Sequence, residues 1–434
     1  MPDVKNESDE RRQALLTDDL GREAQEAVDA VAEAILTMSR DESLSSEAAR
    51  FLAVPSLTTG FGGPALLCAH LELRRPGQDF GDAAVDLTNR ALDVVAEHPL
   101  GPSFYDGFTG VAWLTDHLQG LLFDSRDATI SKEVDAALLQ VLSQEPWTGE
   151  YDVSRGLVGL GVYALDRLPE PTAVRCLDRV VQGLEETAEE RSRGLGWYTP
   201  PRPLPDGRPD PDEPGYYDLG VAHGLAGVIG FLGSARLRCS RPATLVRIDR
   251  LLDGAVRFLQ SCRLEPEAPA SFPSIHIPGR ETAPSRAAWC QGDAGIAATL
   301  LLAARATERD DWRAEALDVA RKAAQRGKEG SWVVDAGLCH GAAGLGHLFH
   351  RFFQCTGEEP FAEAAKRWFR EALSMRRPGQ GVGGFSAWSR DSEGQVHWRR
   401  DPGFLTGASG VALALLAALG DSEPGWDRLL LLPR

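Results

Sequence analysis

The sequence of 434 residues predicts an all-α fold, an (α/α)7 double barrel in which seven inner helices alternate with seven outer helices. Two observations predict this fold. A short pattern, Gly-x-x-Gly leading into an apolar run, occurs seven times along the chain. Between successive repeats lie amphipathic segments with apolar residues at i, i+3, i+4 and i+7, which is the period of a helix with one buried face.

The seven repeats mark the starts of the inner helices. Each of these segments has small and apolar residues on nearly every face of the helix that it would form. This pattern indicates helices that are buried on all sides. Glycines are expected where helix starts crowd together and the backbone turns sharply. The alternative is an irregular helical bundle with ordinary helix-start glycines. The first glycines of the repeats are Gly60, Gly107, Gly156, Gly224, Gly292, Gly341 and Gly407.

The outer helices are predicted in the segments between the repeats. Each segment has an apolar stripe on one side and charged residues on the other, as is typical of a half-exposed helix. These segments cover residues 27–38, 82–96, 131–142, 172–187, 247–260, 311–325 and 361–375.

Three longer insertions precede inner helices and are predicted to be non-helical. Prolines recur every few residues in 195–219, which excludes a helix there. Residues 268–288 form a second loop, and 376–406 indicate a hairpin that turns at Asp391–Gly394. Because all three lead into inner-helix starts, we expect them to crowd one mouth of the barrel and to form the substrate groove there.

The chain is expected to form one cyclic array of helices rather than several domains. Residues 1–12 are predicted to be a disordered lead-in and 13–434 a single domain, in which the Pro-rich excursion around 188–219 leaves room for a small extra domain. The end of the chain, 424–433, is predicted to be a strap that docks Trp426 and its leucines onto the body.

Composition restricts the partners and the compartment. Lys and Arg number 46 against 63 Asp and Glu, a net charge of −17, which disfavours nucleic acid and anionic membranes but is compatible with a cationic peptide. Residues 1–20 lack the pattern of a secretory signal, and no apolar run reaches about 18 residues, so a cytoplasmic protein without a transmembrane helix is predicted. Seven cysteines, an odd number, indicate thiols and metal ligands rather than a disulfide framework.

Two repeats carry candidate metal ligands in the same register. Cys290 and Cys339 each lie two residues before a first glycine, and His340 lies one residue before. Two thiolates and one imidazole suit Zn²⁺, and three protein ligands leave the fourth position open, as in catalytic zinc sites. The alternatives are two buried cysteines beside a capping histidine, or a closed site with a fourth ligand. Candidates for that fourth ligand are His347, His350 and Cys355.

Further polar residues share this register. His223 also lies one residue before a first glycine and, without a neighbouring cysteine, is a candidate acid–base group. Asp152 and Arg286 lie four and six residues before theirs, although Asp is common at helix starts and Arg at surfaces. Asp293 is predicted to be an N-cap. The cysteines predicted to serve packing alone are Cys68, Cys176, Cys239, Cys262 and Cys355.

Together these motifs resemble the lanthipeptide cyclases, the lanthionine synthetase C-like (LanC) family. The resemblance covers most of the chain and implies a zinc-containing α-toroid that closes thioether rings in a dehydrated precursor peptide. It implies one zinc ion held by Cys290, Cys339 and His340, with His223, Asp152 and Arg286 as active-site residues. The matching motifs are Arg286 before Trp289-Cys290-x-Gly292, Cys339-His340-Gly341, Ala222-His223-Gly224, Asp152 before Gly156, and the closing Pro424-Gly425-Trp426-Asp427-Arg428-Leu429-Leu430.

The resemblance also implies a reaction and its partners. No dehydratase region precedes the barrel, so a stand-alone cyclase is expected, with the precursor peptide (leader plus core) as substrate and the separate dehydratase as a further partner. A substrate thiol at the open zinc position would lose its proton near neutral pH and add to the β-carbon of dehydroalanine or dehydrobutyrine. Arg286 would stabilise the enolate, and His223, oriented by Asp152, would deprotonate the thiol or protonate Cα.

Three other functions fit parts of the sequence. A related enzyme could add a free thiol such as glutathione to dehydrated residues at the same site. A non-catalytic scaffold could bind peptide without chemistry. A glycosidase or lyase could use Asp106 and Asp152 as paired carboxylates, but it would leave Cys290, Cys339 and His340 unexplained.

Overall fold

A computed structural model describes residues 13–40, 54–123, 129–201, 214–391 and 393–433. Within these residues it contains fourteen α-helices and three two-stranded antiparallel sheets. The predicted lead-in, residues 1–12, lies outside the described part of the chain. Among the helices described, none has both the length and the apolar character needed to cross a membrane.

Outer and inner helices alternate along the described residues, beginning with an outer one. The odd-numbered helices are outer and the even-numbered helices are inner. They are α1 Asp18–Ser39, α2 Gly62–Arg74, α3 Phe80–Glu97, α4 Phe108–Leu122, α5 Thr129–Leu142, α6 Leu157–Asp166, α7 Pro171–Thr187, α8 Leu225–Arg238, α9 Pro242–Ser261, α10 Asp293–Thr307, α11 Asp310–Gln325, α12 Ala342–Thr356, α13 Glu359–Ser374 and α14 Ala408–Ala418.

The inner helices begin where the Gly-x-x-Gly repeats predict. In six of the seven, the first glycine of the repeat is the extended residue that directly precedes the helix. In the remaining one, α2 begins two residues after Gly60. All eleven residues of α14 are buried, which explains why these segments lack a polar face.

The outer helices bury one face, as their amphipathic pattern predicts. In α9 the apolar stripe from Ile248 to Leu259 is buried, whereas Val246 on the other side is 69% exposed. Burial of such a stripe contributes about 25 cal/mol for each Å² of apolar surface removed from water. The alternation of inner and outer helices therefore follows from the sequence pattern.

Contacts between helices define two compact units. The first comprises residues 1–134, 333–428 and 434. Its inner helices contact one another in the order α12, α14, α2, α4, and its outer helices α13, α1 and α3 pack on α12, α14 and α2. A hairpin of β5 Ala387–Arg390 and β6 Val396–Arg399 belongs to this unit.

The second unit comprises residues 135–332 and 429–433. Its inner helices contact one another in the order α6, α8, α10, and the outer helices α7, α9 and α11 pack on them in the same order. Two small sheets belong to it. They are formed by β1 Glu189–Arg191 with β2 Gly194–Gly196, and by β3 Tyr217–Asp218 with β4 Ile275–His276.

The insertions are non-helical where they are described. The Pro-rich insertion contributes β2 and β3, while its residues 202–213 lie outside the described part of the chain. The loop 268–288 contributes β4. The predicted hairpin is confirmed as β5 Ala387–Arg390 paired with β6 Val396–Arg399.

The last residues of the first unit dock as the strap prediction requires. Trp426 is fully buried, its indole lies stacked on His347 at 4.8 Å between ring centroids, and Phe404 contacts it edge-on. In the second unit, the indole nitrogen of Trp289 donates a hydrogen bond to the carbonyl of Leu430.

Candidate active site

Three inner helices are entered through a turn that begins with a buried aspartate. We name it the Asp-x-Gly turn, and its three copies cover residues 218–224, 335–341 and 401–407. In each copy the aspartate Oδ1 accepts the backbone N–H of the glycine two residues further on, at 2.7, 3.2 and 2.7 Å respectively. These aspartates are not among the predicted site residues, although Asp-x-Gly lies six residues before a repeat glycine in three repeats.

The turn 218–224 is tied to the segment that carries Cys290. The carbonyl oxygen of Cys290 accepts the N–H groups of Val221 and Ala222 at 2.7 and 3.2 Å. A side chain at Gly220 would lie 2.2 Å from that same carbonyl oxygen, so only glycine allows this approach. Two stretches of chain that are far apart in sequence are therefore fixed to each other within the second unit.

The carboxylate of Asp218 strengthens the same connection. Its Oδ2 accepts a hydrogen bond from the side-chain amide of Gln291, the residue after Cys290, at 2.7 Å. Burial raises the pKa of Asp218 to about 6, against hydrogen bonds that favour its charged form. Asp218 is thus a positioning residue that holds the His223 turn and the Cys290 segment together.

His223 and Asp152 form a hydrogen-bonded pair. The Nδ1 of His223 lies 2.6 Å from Oδ2 of Asp152. The other oxygen of Asp152 accepts the N–H groups of Arg155 and Gly156 at 2.7 and 3.1 Å, at the entry to α6. Because the Asp152 side chain is only 9% exposed and its oxygens are occupied, its orientation is fixed by the fold.

This pair determines what the imidazole can do. An ionised carboxylate only accepts hydrogen bonds, so Nδ1 carries the proton and Nε2 is left for a substrate. The hydrogen bond to Asp152 raises the pKa of His223 above its ordinary value, with burial opposing it and the charges of Asp152, Asp218 and Cys290 adding to it. The side chain of His223 is 54% exposed, so a substrate can reach it.

Arg286 lies beside Cys290. Its guanidinium Nη2 is 3.8 Å from the Sγ of Cys290, and Arg286 also forms an isolated parallel bridge with Gly292. A guanidinium at this distance favours the thiolate form of a cysteine. The second unit therefore brings Arg286 to Cys290 and Asp152 to His223.

Cys339 and His340 occupy the turn 335–341 of the first unit. The N–H of Cys339 donates to the carbonyl of Leu405 at 2.8 Å. Within the turn, Oδ1 of Asp335 accepts the N–H of Gly337. The second oxygen of Asp335 accepts the N–H of Trp388 in β5. Both Cys339 and His340 are half-buried.

The donor set in this turn fits a metal ion. The Nδ1 of His340 is buried and finds no hydrogen-bond partner among the described residues. A buried polar atom without a partner costs free energy, and a metal ligand bond is one way to satisfy it. Soft thiolates with an imidazole suit zinc.

The fourth-ligand candidates have other surroundings. His347 lies 3.2 Å from Asp427 and stacks on Trp426, which gives it a packing role within the first unit. Burial lowers the pKa of His350 to about 3. Among the cysteines predicted to serve packing, burial raises the pKa of Cys68 and Cys176 to about 12, so both are held as thiols.

The prediction for Asp293 is wrong in its detail. Gly292, not Asp293, precedes α10, and the Asp293 side chain makes no cap of its own helix. It is fully buried, and its carboxylate accepts the N–H groups of Ser271 and Phe272 at 2.6 and 3.1 Å. Its role is therefore to anchor the loop 268–288 on the start of α10, a long-range contact that local sequence does not reveal.

A groove of ≈ 430 Å³ opens beside Arg286 and Gln291 in the second unit. The loop 268–288 supplies most of its lining, including Ile275 and Ile277. Trp332 forms one side and is 72% exposed, with a backbone φ of 61° that is unusual for a non-glycine residue. An exposed indole and two isoleucines next to a polar site are typical of a binding groove.

Comparisons with known proteins place this fold among solved structures. A solved structure of nisin cyclase superposes with a TM-score of 0.66 at 19% identity, covering 93% of this chain and 96% of that one. A sugar epimerase from a ruminal bacterium gives a TM-score of 0.48 at 10% identity, covering 92% and 97%. A search of curated proteins finds no match. The likeness to nisin cyclase confirms the predicted all-α fold.

A family model provides the assignment. The model for lanthionine synthetase C-like proteins matches residues 53–431, which is most of the chain and includes every candidate site residue. The motifs that carry the resemblance in the sequence are the same ones that form the turns and pairs described above. The chain therefore belongs to the lanthionine synthetase C-like family.

Proposed function

We propose that this protein is a zinc-dependent cyclase that forms lanthionine and methyllanthionine rings in a dehydrated precursor peptide. In the reaction the sulfur of a peptide cysteine bonds to the β-carbon of a dehydroalanine or dehydrobutyrine, the C=C electron pair shifts to the carbonyl as an enolate, and Cα then takes up a proton. The observation that carries the proposal is the 2.6 Å pair of Asp152 and His223 in a chain of this family.

Cys290, Cys339 and His340 would hold one zinc ion. The donor types and the buried, unpartnered Nδ1 of His340 support this assignment. A zinc ion held by these residues would lower the pKa of a substrate thiol bound to it and so favour the thiolate near neutral pH.

His223 would move the proton. Asp152 fixes Nδ1, so Nε2 either accepts the proton of the incoming thiol or delivers one to Cα of the enolate. The raised pKa of His223 keeps more imidazolium present near neutral pH than an ordinary histidine would, which supports the donor role.

Arg286 would stabilise the negative charge that develops on the substrate carbonyl. Its contact with the Sγ of Cys290 keeps the guanidinium at the site. The groove beside Arg286 would hold apolar side chains next to the reacting residue of the peptide. The substrate would be a dehydrated precursor peptide, and the separate dehydratase that supplies it would be a transient partner.

The proposal is tested by metal analysis together with a thiol assay. Protein purified without added metal should contain about one zinc per chain, and Cys339→Ala should lose it. Cys239→Ala provides the matched control. Cys239 directly follows the last residue of α8, its Sγ contacts the carbonyl of Arg241, and it is not part of the site.

Ring closure leaves the peptide mass unchanged, so it is followed by loss of alkylatable thiols in a dehydrated peptide. Wild type and Cys239→Ala should consume these thiols, and Cys339→Ala should not. Wild-type protein that binds zinc but leaves every thiol alkylatable would contradict the cyclase proposal, and consumption of added glutathione instead would identify the free-thiol alternative.

A further inference from the structure

The hairpin of β5 and β6 has one edge that pairs with no other strand among the described residues. Asp391 donates its N–H to the carbonyl of Gln395, which makes these two residues a hydrogen-bonded pair. Hydrogen-bonded and non-hydrogen-bonded pairs alternate in an antiparallel ladder, so Val396 with Arg390 and Trp398 with Trp388 are non-hydrogen-bonded pairs. The backbone groups of Val396 and Trp398 therefore point away from β5, and no backbone hydrogen bond joins either residue to the rest of the described chain.

The opposite edge of the hairpin is occupied. The N–H of Trp388 in β5 donates to Oδ2 of Asp335 at 3.0 Å. Asp335 begins the turn that carries Cys339 and His340. The hairpin is thus anchored on the turn with two of the candidate zinc ligands, and its outer strand is left for another chain.

One face of the hairpin is aromatic and exposed. Paired residues of a ladder share a face, so Trp388, Trp398, Arg390 and Val396 lie together. Val396 is 49% exposed and Trp398 is 59% exposed, and the Arg390 guanidinium lies over the Trp388 ring at 5.4 Å. Such an exposed apolar edge is normally shielded in a protein that has no partner for it.

The charge around this edge is opposite to that of the whole chain. Residues 376–400 contain five arginines and two acidic residues, whereas the chain carries −17. In the described part of the chain, no ion pair involves Arg390, Arg399 or Arg400, while Asp391 is occupied by His397 at 2.7 Å. Arg400 donates its Nε to the backbone carbonyl of Gly381 at 3.1 Å and has no acidic partner among the described residues. Arginines without an acidic partner beside this strand edge favour a negatively charged extended peptide.

We propose that the outer edge of β6 binds an extended acidic segment of the precursor peptide by strand addition. Backbone hydrogen bonds to Val396 and Trp398 supply affinity, and Arg399 and Arg400 select acidic side chains. This inference rests on the proposed function for the identity of the ligand. The net charge of the chain is compatible with a cationic peptide, but the local charge at this edge is positive and favours an acidic one.

The test uses the full-length protein and a fluorescently labelled decapeptide of Asp, Glu, Val and Ile that has no Cys, Ser or Thr. Such a peptide cannot be dehydrated or cyclised, so its binding is independent of the chemistry. Fluorescence anisotropy measures the affinity. Wild type should bind it, binding should weaken as salt rises, and a peptide with Gln and Asn in place of Glu and Asp should bind at least about 10-fold more weakly.

Val396→Pro tests the edge itself. It removes an outward-facing N–H without removing a hydrogen bond of the hairpin, so the hairpin should remain while affinity falls about 10-fold. Val396→Thr keeps the N–H and the strand preference, and its affinity should stay within about 3-fold of wild type. Trp398→Ala should also weaken binding if the aromatic face is used.

Three outcomes would overturn the inference: no binding to wild type, equal binding of acidic and neutral peptides, or equal affinity for Val396→Pro and Val396→Thr with Trp398→Ala unchanged. Failure of the cyclase proposal has a different signature, because the decapeptide would still bind while dehydrated peptides kept their thiols.

Discussion

The turns 218–224 and 401–407 share one hydrogen bond between a side chain and the backbone but differ in the partner of the residue before the helix glycine. In both, a buried aspartate accepts the N–H of a glycine two residues on, at 2.7 Å. In the second, Thr406 donates its hydroxyl to Oδ2 of its own Asp401 at 2.6 Å. In the first, Gln291 occupies that oxygen, and His223, at the position of Thr406, bonds to Asp152 instead.

This difference shows how one backbone turn can be structural in one place and chemical in another. The residue before the helix glycine either satisfies the turn's own aspartate or is left for a partner from elsewhere. In the turn 335–341 that position is His340, whose Nδ1 has no protein partner among the described residues. The backbone of the turn fixes the position of the side chain before the helix glycine, and the contacts of that side chain determine its role.

Substitution at the equivalent positions should give the largest contrast. His223→Asn should lower the cyclisation rate by about 10² to 10⁴-fold, the usual effect of losing a general acid or base, and should leave the zinc content unchanged. Thr406→Val should keep activity but lower the free energy of unfolding by about 1–3 kcal/mol, because Oδ2 of Asp401 loses its donor.

Thiol consumption and urea unfolding measure these two effects. Full activity in His223→Asn would remove His223 from the mechanism. A loss of activity in Thr406→Val equal to that in His223→Asn would show that the turns do not differ in the way described.

Asp152→Asn should have the next largest effect. The hydrogen bond to Asp152 is the main cause of the raised pKa of His223, so this pKa should fall towards its ordinary value in the variant. The limb of the pH–rate profile that belongs to His223 should therefore move to lower pH, whether the histidine acts as acid or base, and the rate should fall about 10²-fold. An unmoved limb would mean that another group titrates.

A further effect is expected in the pH dependence of stability. Burial raises the pKa of Asp218 to about 6, so between its ordinary value and about 6 the folded state binds this proton more tightly than the unfolded state. The contribution of Asp218 to the free energy of unfolding therefore falls as pH rises through this window, by up to about 3 kcal/mol.

Asp218→Asn should remove that fall, and urea unfolding at several pH values between 4 and 7 measures it. Burial raises the pKa of Asp401 too, so Asp401→Asn should change the slope in the same direction. If the free energy of unfolding of Asp218→Asn fell more steeply with pH than that of wild type, the assignment would be contradicted.

The sequence predicts the helices well because their signals are local. Gly-x-x-Gly marks each inner start and the apolar stripe marks each outer helix, so the positions of all fourteen described helices agree with the prediction. The hairpin at Asp391 was also visible from its turn residues. Fold class needs only these periodicities.

The site was predictable in its residues and not in its contacts. Register singled out His223 and Asp152, whose pairing across 71 positions the structure shows. Asp218 and Gln291 were missed because they work by hydrogen bonds between segments distant in sequence, and a single aspartate before a glycine has many uses. Asp293 was misread for the same reason, since its partners lie about twenty positions upstream.

That carboxylate has a consequence for motion. Asp293 lies at the first turn of α10 and holds the backbone of Ser271 and Phe272, so the loop cannot detach without leaving a buried carboxylate without its donors. Local opening of the loop is therefore coupled to fraying of a core helix and should be rare. The loop that leads to Arg286 should therefore open about as rarely as the start of α10, although it has almost no regular secondary structure of its own.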